Sequence, residues 1–164
     1  MSMNEEQLIK RDRMRFTKNT LSSGLALLAI LFNVLYFVSI YKSDVGSFYY
    51  NIIIGASILY NLIFMLVVFL SSEGVKNYKT AYAYVLLAVG ALQILRIFIL
   101  PLRAHSAVIT INKEETVVMQ TAQFVRVIVY LAASAACCIV AGVIGMGKSR
   151  VLAAHMAALD KKAA

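Results

Sequence analysis

Charge and cysteine are both scarce in this chain of 164 residues, where charged side chains make up 15% and cysteine occurs twice. A soluble domain is about 25% charged and about 45–50% apolar. Here 61% of the residues are hydrophobic, which excludes a water-soluble globule. Two cysteines are too few for a disulfide scaffold, and a mean hydropathy of +0.78 excludes a disordered chain. Carboxylates are missing from the four long apolar runs altogether. A carboxylate proton relay or an acidic ring for cations therefore has no residues to use. No H-E-x-x-H, G-x-S-x-G or paired-carboxylate pattern occurs, so no catalytic constellation, metal site or cofactor is expected.

The four runs themselves define the fold class. Crossing roughly 30 Å of hydrocarbon takes about 20 mostly apolar residues in a helix, and the runs at 21–41, 48–70, 81–102 and 124–146 are each long enough. None alternates with a period of two, so membrane β-strands are excluded. The first run follows a basic stretch, Lys10 to Lys18, as a secretory signal would. It is too long for the apolar core of a signal, and no small-residue cleavage pattern follows it before Lys42, so it stays as a span. The expected fold is an all-α integral membrane protein with four transmembrane helices. Residues 1–20 form a basic N-terminal segment, 21–146 the membrane domain, and 147–164 a tail.

Orientation follows from the flanking lysines and arginines. Eleven of the sixteen lie in the N-terminal segment, the loop after the second span and the C-terminal tail. Only Lys42, Arg103 and Lys113 lie on the other side, while Arg96 and Arg126 fall within spans. Both termini are expected in the cytoplasm. Tyr36, Tyr41, Tyr49 and Tyr50 then mark the outer interface, and Phe16, Tyr78 and Tyr82 the inner one. His105 and His155 fall on opposite sides, where they cannot share a metal or a proton relay. The net charge of +8 is accounted for by this distribution and by attraction to anionic headgroups on the cytoplasmic side. No nucleic-acid partner is expected, since the aromatic residues sit in the spans and no RNA-binding pattern is present.

The one long connection, residues 103–123, lies outside. Asn112 and Glu115 fit the spacing of a capping box, which would start the fourth helix well beyond the bilayer. A hairpin competes, because β-prone runs at 107–111 and 116–119 flank Asn-Lys-Glu-Glu. The helix is the favoured expectation. In the tail, Val151, Leu152, His155, Met156 and Leu159 recur at helical spacing. This predicts an amphipathic cytoplasmic helix that continues span four, lies on the headgroups or docks on a partner.

Polar residues within spans are the default pointers to function in a membrane. Asn33, Asn61 and Gln93 lie near mid-span, and Arg96 follows Gln93 by three residues on the same helix face, roughly 4.5 Å further out. With Arg126 at the outer end of span four, they form a candidate polar layer. With no carboxylate in any span, a ligand held there would be neutral or anionic. The structural alternative has Arg126 reaching the headgroups, Arg96 doing the same or pairing with Glu114 or Glu115, and the amides serving as interhelical glue. Pro101, the only proline, should end or kink span three beside this layer.

In span four, Ala133, Cys137, Ala141 and Gly145 form one i, i+4 row, and Ser134, Cys138 and Gly142 the next. Small residues let helix backbones approach closely, so this face is an expected packing interface for another span, a second copy or another protein. Cys137 and Cys138 belong to that face and lack the C-x-x-C spacing of a redox pair. Residues 142–149 match the phosphate-binding loop G-x-x-x-x-G-K-[ST]. Only fifteen residues follow Ser149, too few for the rest of a nucleotide-binding fold, so the match is judged spurious. Lys161 and Lys162 resemble a dilysine retrieval signal of the endoplasmic reticulum. A bacterial cytoplasmic membrane ranks ahead of that compartment.

Two functional readings emerge. The first is a small polytopic protein acting by association, as a homo-oligomer or as the accessory subunit of a membrane complex. The second is a small transporter or channel-like protein for a neutral or anionic solute or lipid.

Overall fold

The computed structural model describes residues 18–40, 48–99, 101–106, 108–111, 114–117 and 119–163. Four long helices, α1 (Thr20–Ile40), α2 (Phe48–Lys76), α3 (Thr80–Ile99) and α5 (Thr121–Ala163), pack as a bundle. All four are long and apolar enough to cross a membrane, and the chain is a multi-pass membrane protein by that measure. A short helix, α4 (Pro101–Ser106), and two strands, β1 (Val108–Ile111) and β2 (Glu114–Val117), link α3 to α5. Pro101 acts as expected: α3 stops at Ile99, short of the predicted Leu102, and Pro101 opens α4, where its missing N–H costs nothing.

Burial is inverted relative to a soluble bundle. On α1 the residues turned inward are Ser22, Ser23, Ala26, Ala29, Asn33 and Tyr36, whereas Leu21, Leu27, Leu31 and Val38 lie on the outside. Hydrocarbon is as apolar as leucine, so leucine gains nothing by burial there. Close packing and interhelical hydrogen bonds of small and polar residues drive association instead. α5 runs between α1 and α3 along most of their length, with α2 completing the bundle against α1 and α3. The contact is tight at two glycines. A Cβ on Gly142 would stand 2.8 Å from Leu87 Cγ and 2.9 Å from the Ala83 carbonyl. A Cβ on Gly90 would stand 2.7 Å from Ile139 Cγ1 and 3.2 Å from the Ala135 carbonyl.

One end of the bundle gathers the start of α1, the α2–α3 turn and the middle of α5. Asn19 caps α1, its Oδ1 accepting from Ser22 N at 3.4 Å, while its own N–H donates to Lys76 O at 2.9 Å. Lys148 Nζ donates to the same Asn19 Oδ1 at 3.1 Å, and Ser149 Oγ to Tyr78 O at 3.0 Å. The α2 terminus is a Schellman motif: Lys79 N donates to Gly74 O at 3.1 Å and Tyr78 N to Val75 O at 3.0 Å. Tyr78 takes the left-handed position, φ 58°, that glycine usually fills.

At the opposite end the favoured expectation for the long loop fails. β1 and β2 pair antiparallel, Val108 opposite Val117 and Ile111 opposite Glu114, and the last helix begins only at Thr121. The β-branched residues Val108, Ile109, Thr110, Ile111, Thr116 and Val117 suit a pleated ladder and resist a helix. An Asn-x-x-Glu spacing does not outweigh them. Asn112 itself lies outside the described residues.

Candidate functional site

Two tiers of polar side chains occupy the bundle interior, one helical turn apart. The first joins α1, α3 and α5. Gln93 Nε2 donates to Asn33 Oδ1 at 3.0 Å and lies 3.4 Å from Ser134 Oγ, which itself donates to the Ala29 carbonyl at 2.9 Å. Asn33, Gln93 and Ser134 are fully buried. This tier keeps two unmatched atoms, the donor Asn33 Nδ2 and the acceptor Gln93 Oε1. Buried polar groups are nearly always paired, so an open donor and an open acceptor in one tier require an explanation.

The second tier, nearer the hairpin end, is built around Arg96. Its two terminal nitrogens donate at 2.8 Å to Asn61 Oδ1 and at 2.8 Å to Ser57 Oγ, both on α2. Asn61 is oriented by its own Nδ2, which donates to Ser57 O one turn back at 2.9 Å. The guanidinium lies between two rings, 4.5 Å from the Tyr36 centroid and 4.6 Å from that of Tyr60. Arg96 is 6% exposed, and among the described residues no carboxylate pairs with it. An arginine at the centre of a membrane helix costs about 2.5–3.5 kcal/mol on insertion scales, an upper figure for Arg96 in the last turn of α3. Two hydrogen bonds to a charged group, each worth about 1.5–3 kcal/mol, offset a cost of that size, and the ring faces add to them. Among the described residues, the groups that hydrogen-bond to this cation or stack on it are all neutral: Asn61, Ser57, Tyr36 and Tyr60.

The structure brings together four of the five residues of the expected layer, Asn33, Asn61, Gln93 and Arg96. Arg126 is not among them and lies exposed on α5. Tyr36, expected at the outer interface, is fully buried with its ring against Arg96. Ser57, Tyr60, Tyr36 and Ser134 were not singled out for this site. The signal for Tyr36 was its position three residues after Asn33, on the face that α1 turns inward.

The small face of α5 packs inside this same chain. Ser134, Cys138, Ala141, Gly142 and Gly145 are buried, Ala133 and Cys137 partly so. Ser22 Oγ donates to the Ala141 carbonyl across the α1–α5 contact. Residues 142–149 are continuous α-helix, with no phosphate-cradling loop. On the loop side, His105 stacks on Phe124 with ring centroids 4.3 Å apart, and Gln123 Nε2 donates to Ser39 O at 2.9 Å. No family model, curated protein or solved structure matches the chain.

Proposed function

We propose that this small multi-pass membrane protein binds the anionic or polar group of a lipid or solute at the Arg96 centre of its bundle. The observation that carries the reading is a buried guanidinium with no carboxylate beside it among the described residues. An arginine inside a membrane bundle needs a counter-charge or a function. A ligand oxygen reaching this centre would gain a cation already stripped of water, while Asn33 Nδ2 and Gln93 Oε1 offer the unused donor and acceptor one turn away. The basic residues cluster at the end that holds Asn19, Lys76 and Lys148, which supports a cytoplasmic location for both termini and an approach to Arg96 from the opposite leaflet. A bacterial cytoplasmic membrane suits the chain first and the endoplasmic reticulum second.

Native mass spectrometry after gentle extraction, with lipids retained, tests this. The wild-type chain is expected to carry a ligand of defined mass that Arg96→Gln loses, since glutamine stays polar but carries no charge. The same adduct on both proteins, or none on either, contradicts the proposal.

Association, as a homo-oligomer or accessory subunit, is the second reading. Packing of the small α5 face within the chain leaves little of it for a partner. What favours the reading is the length of α5, 43 residues or about 65 Å, twice the membrane core, with Val151 and Met156 each 53% exposed beyond the bundle.

A further inference from the structure

Asn19, the residue that caps α1, is fully buried where the start of α1, the end of α2 and the middle of α5 converge. Its N–H and its Oδ1 are both used, the first on Lys76 O and the second by Ser22 N and Lys148 Nζ. Its Nδ2 has no partner. Capping does not call for that atom: aspartate caps a helix as well as asparagine does, and would also give Lys148 a full counter-charge. Asparagine instead brings a second group, a buried donor whose hydrogens go unused, and a buried donor left without an acceptor costs free energy.

The field around this donor is positive. Lys148 Nζ rests on a neutral oxygen, 3.1 Å away, and among the described residues no carboxylate pairs with it. Lys18, next to Asn19 in the chain, is exposed. Glu73, at this same end of the bundle, is engaged by Lys76 at 3.0 Å. The dipole of α1, a helix of 21 residues, presents its positive end here as well. Nδ2 and Oδ1 belong to one planar amide, so the open donor lies beside the atom that Lys148 touches.

We propose that this corner binds a phosphate group, one oxygen accepting from Asn19 Nδ2 and another from Lys148 Nζ, at the N-terminus of α1. Lys148 is exposed and flexible, so it can turn from Oδ1 onto the phosphate as the ligand arrives. The site is at the basic end of the bundle, away from Arg96 in the last turn of α3, and does not depend on binding there. The phosphodiester of an anionic phospholipid and inorganic phosphate present the same oxygens, and both reach the boundary between membrane and water.

Native mass spectrometry of the full chain in neutral detergent, titrated with phosphatidylglycerol and separately with inorganic phosphate, tests the site. Asn19→Asp keeps the cap and the contact with Lys148 but sets a negative charge against the phosphate. Its unfolding temperature should match or exceed that of the wild type, while one bound molecule is held about tenfold more weakly. Lys148→Gln leaves the cap untouched and should weaken the same molecule by a similar factor, whereas Arg96→Gln should not affect it. Retention of the lipid alone identifies a membrane headgroup as the source, and retention of inorganic phosphate a soluble one. Wild-type affinity in Asn19→Asp or in Lys148→Gln, or no bound molecule in either titration, would overturn the proposal.

Discussion

Asn61 and Ser57 supply the two acceptors that hold the Arg96 guanidinium inside the bundle, and each acts through geometry set on α2. Replacing Asn61 with leucine removes one acceptor and leaves a charged N–H buried without a partner. The expected loss is about 1–3 kcal/mol, read as a lower unfolding temperature in detergent. Glu73→Gln is the control, because its ion pair with Lys76, 3.0 Å long, sits on the exposed face, and such pairs contribute about 0–1 kcal/mol. A drop for Asn61→Leu no larger than the control would mean that Arg96 is solvated in some other way. At this scale the sequence is informative where polarity stands out against its surroundings: Asn33, Asn61, Gln93 and Arg96 are conspicuous in apolar runs. Ser57 and Ser134 are not, because a serine in a membrane helix can satisfy itself on its own backbone. Arg126 is as polar as Arg96, but it lies on the face of α5 that the structure leaves exposed.

Helix packing depends on where side chains are absent. Gly142 faces Leu87 and the Ala83 carbonyl at distances a Cβ cannot share with them, while nothing stands within 4 Å of a Cβ on Gly24. Gly142→Ala should therefore push α5 from α3 and destabilise the bundle by about 1–3 kcal/mol. Gly24→Ala should be neutral or stabilise by up to about 1 kcal/mol through helix propensity alone. Thermal denaturation of the two variants side by side checks this, and equal stabilities would contradict the close α3–α5 approach. The small rows of α5 were legible from their i, i+4 spacing, but one sequence does not say which helix they meet. The four long helices begin within three residues of the expected spans, while α2 and α5 run on past them to Lys76 and Ala163. At 108–117 the structure has a hairpin in place of the expected helix start, because a capping spacing is a local signal with many chance matches. Hairpin formation depends on two β-branched runs pairing across a turn.

At the scale of the molecule, a basic end and a hairpin end are held apart by a closely packed, largely apolar bundle with a buried cation, Arg96, toward the hairpin end. Small and polar residues inside, with leucine outside, make the fold stable only where the surrounding solvent is lipid. The four-helix plan is the most legible feature, since length and hydropathy are summed over many positions. The pairing of Arg96 with two rings and two acceptors is not, because it depends on three helices meeting at one depth. The most direct test of the Arg96 centre is a high-resolution structure of the full chain in nanodiscs made from its own membrane lipids. The account predicts non-protein density within hydrogen-bonding distance of Arg96, reaching Asn33 Nδ2 or Gln93 Oε1. A guanidinium enclosed only by Ser57, Asn61, Tyr36 and Tyr60, with the two amides satisfied by protein groups, would contradict it.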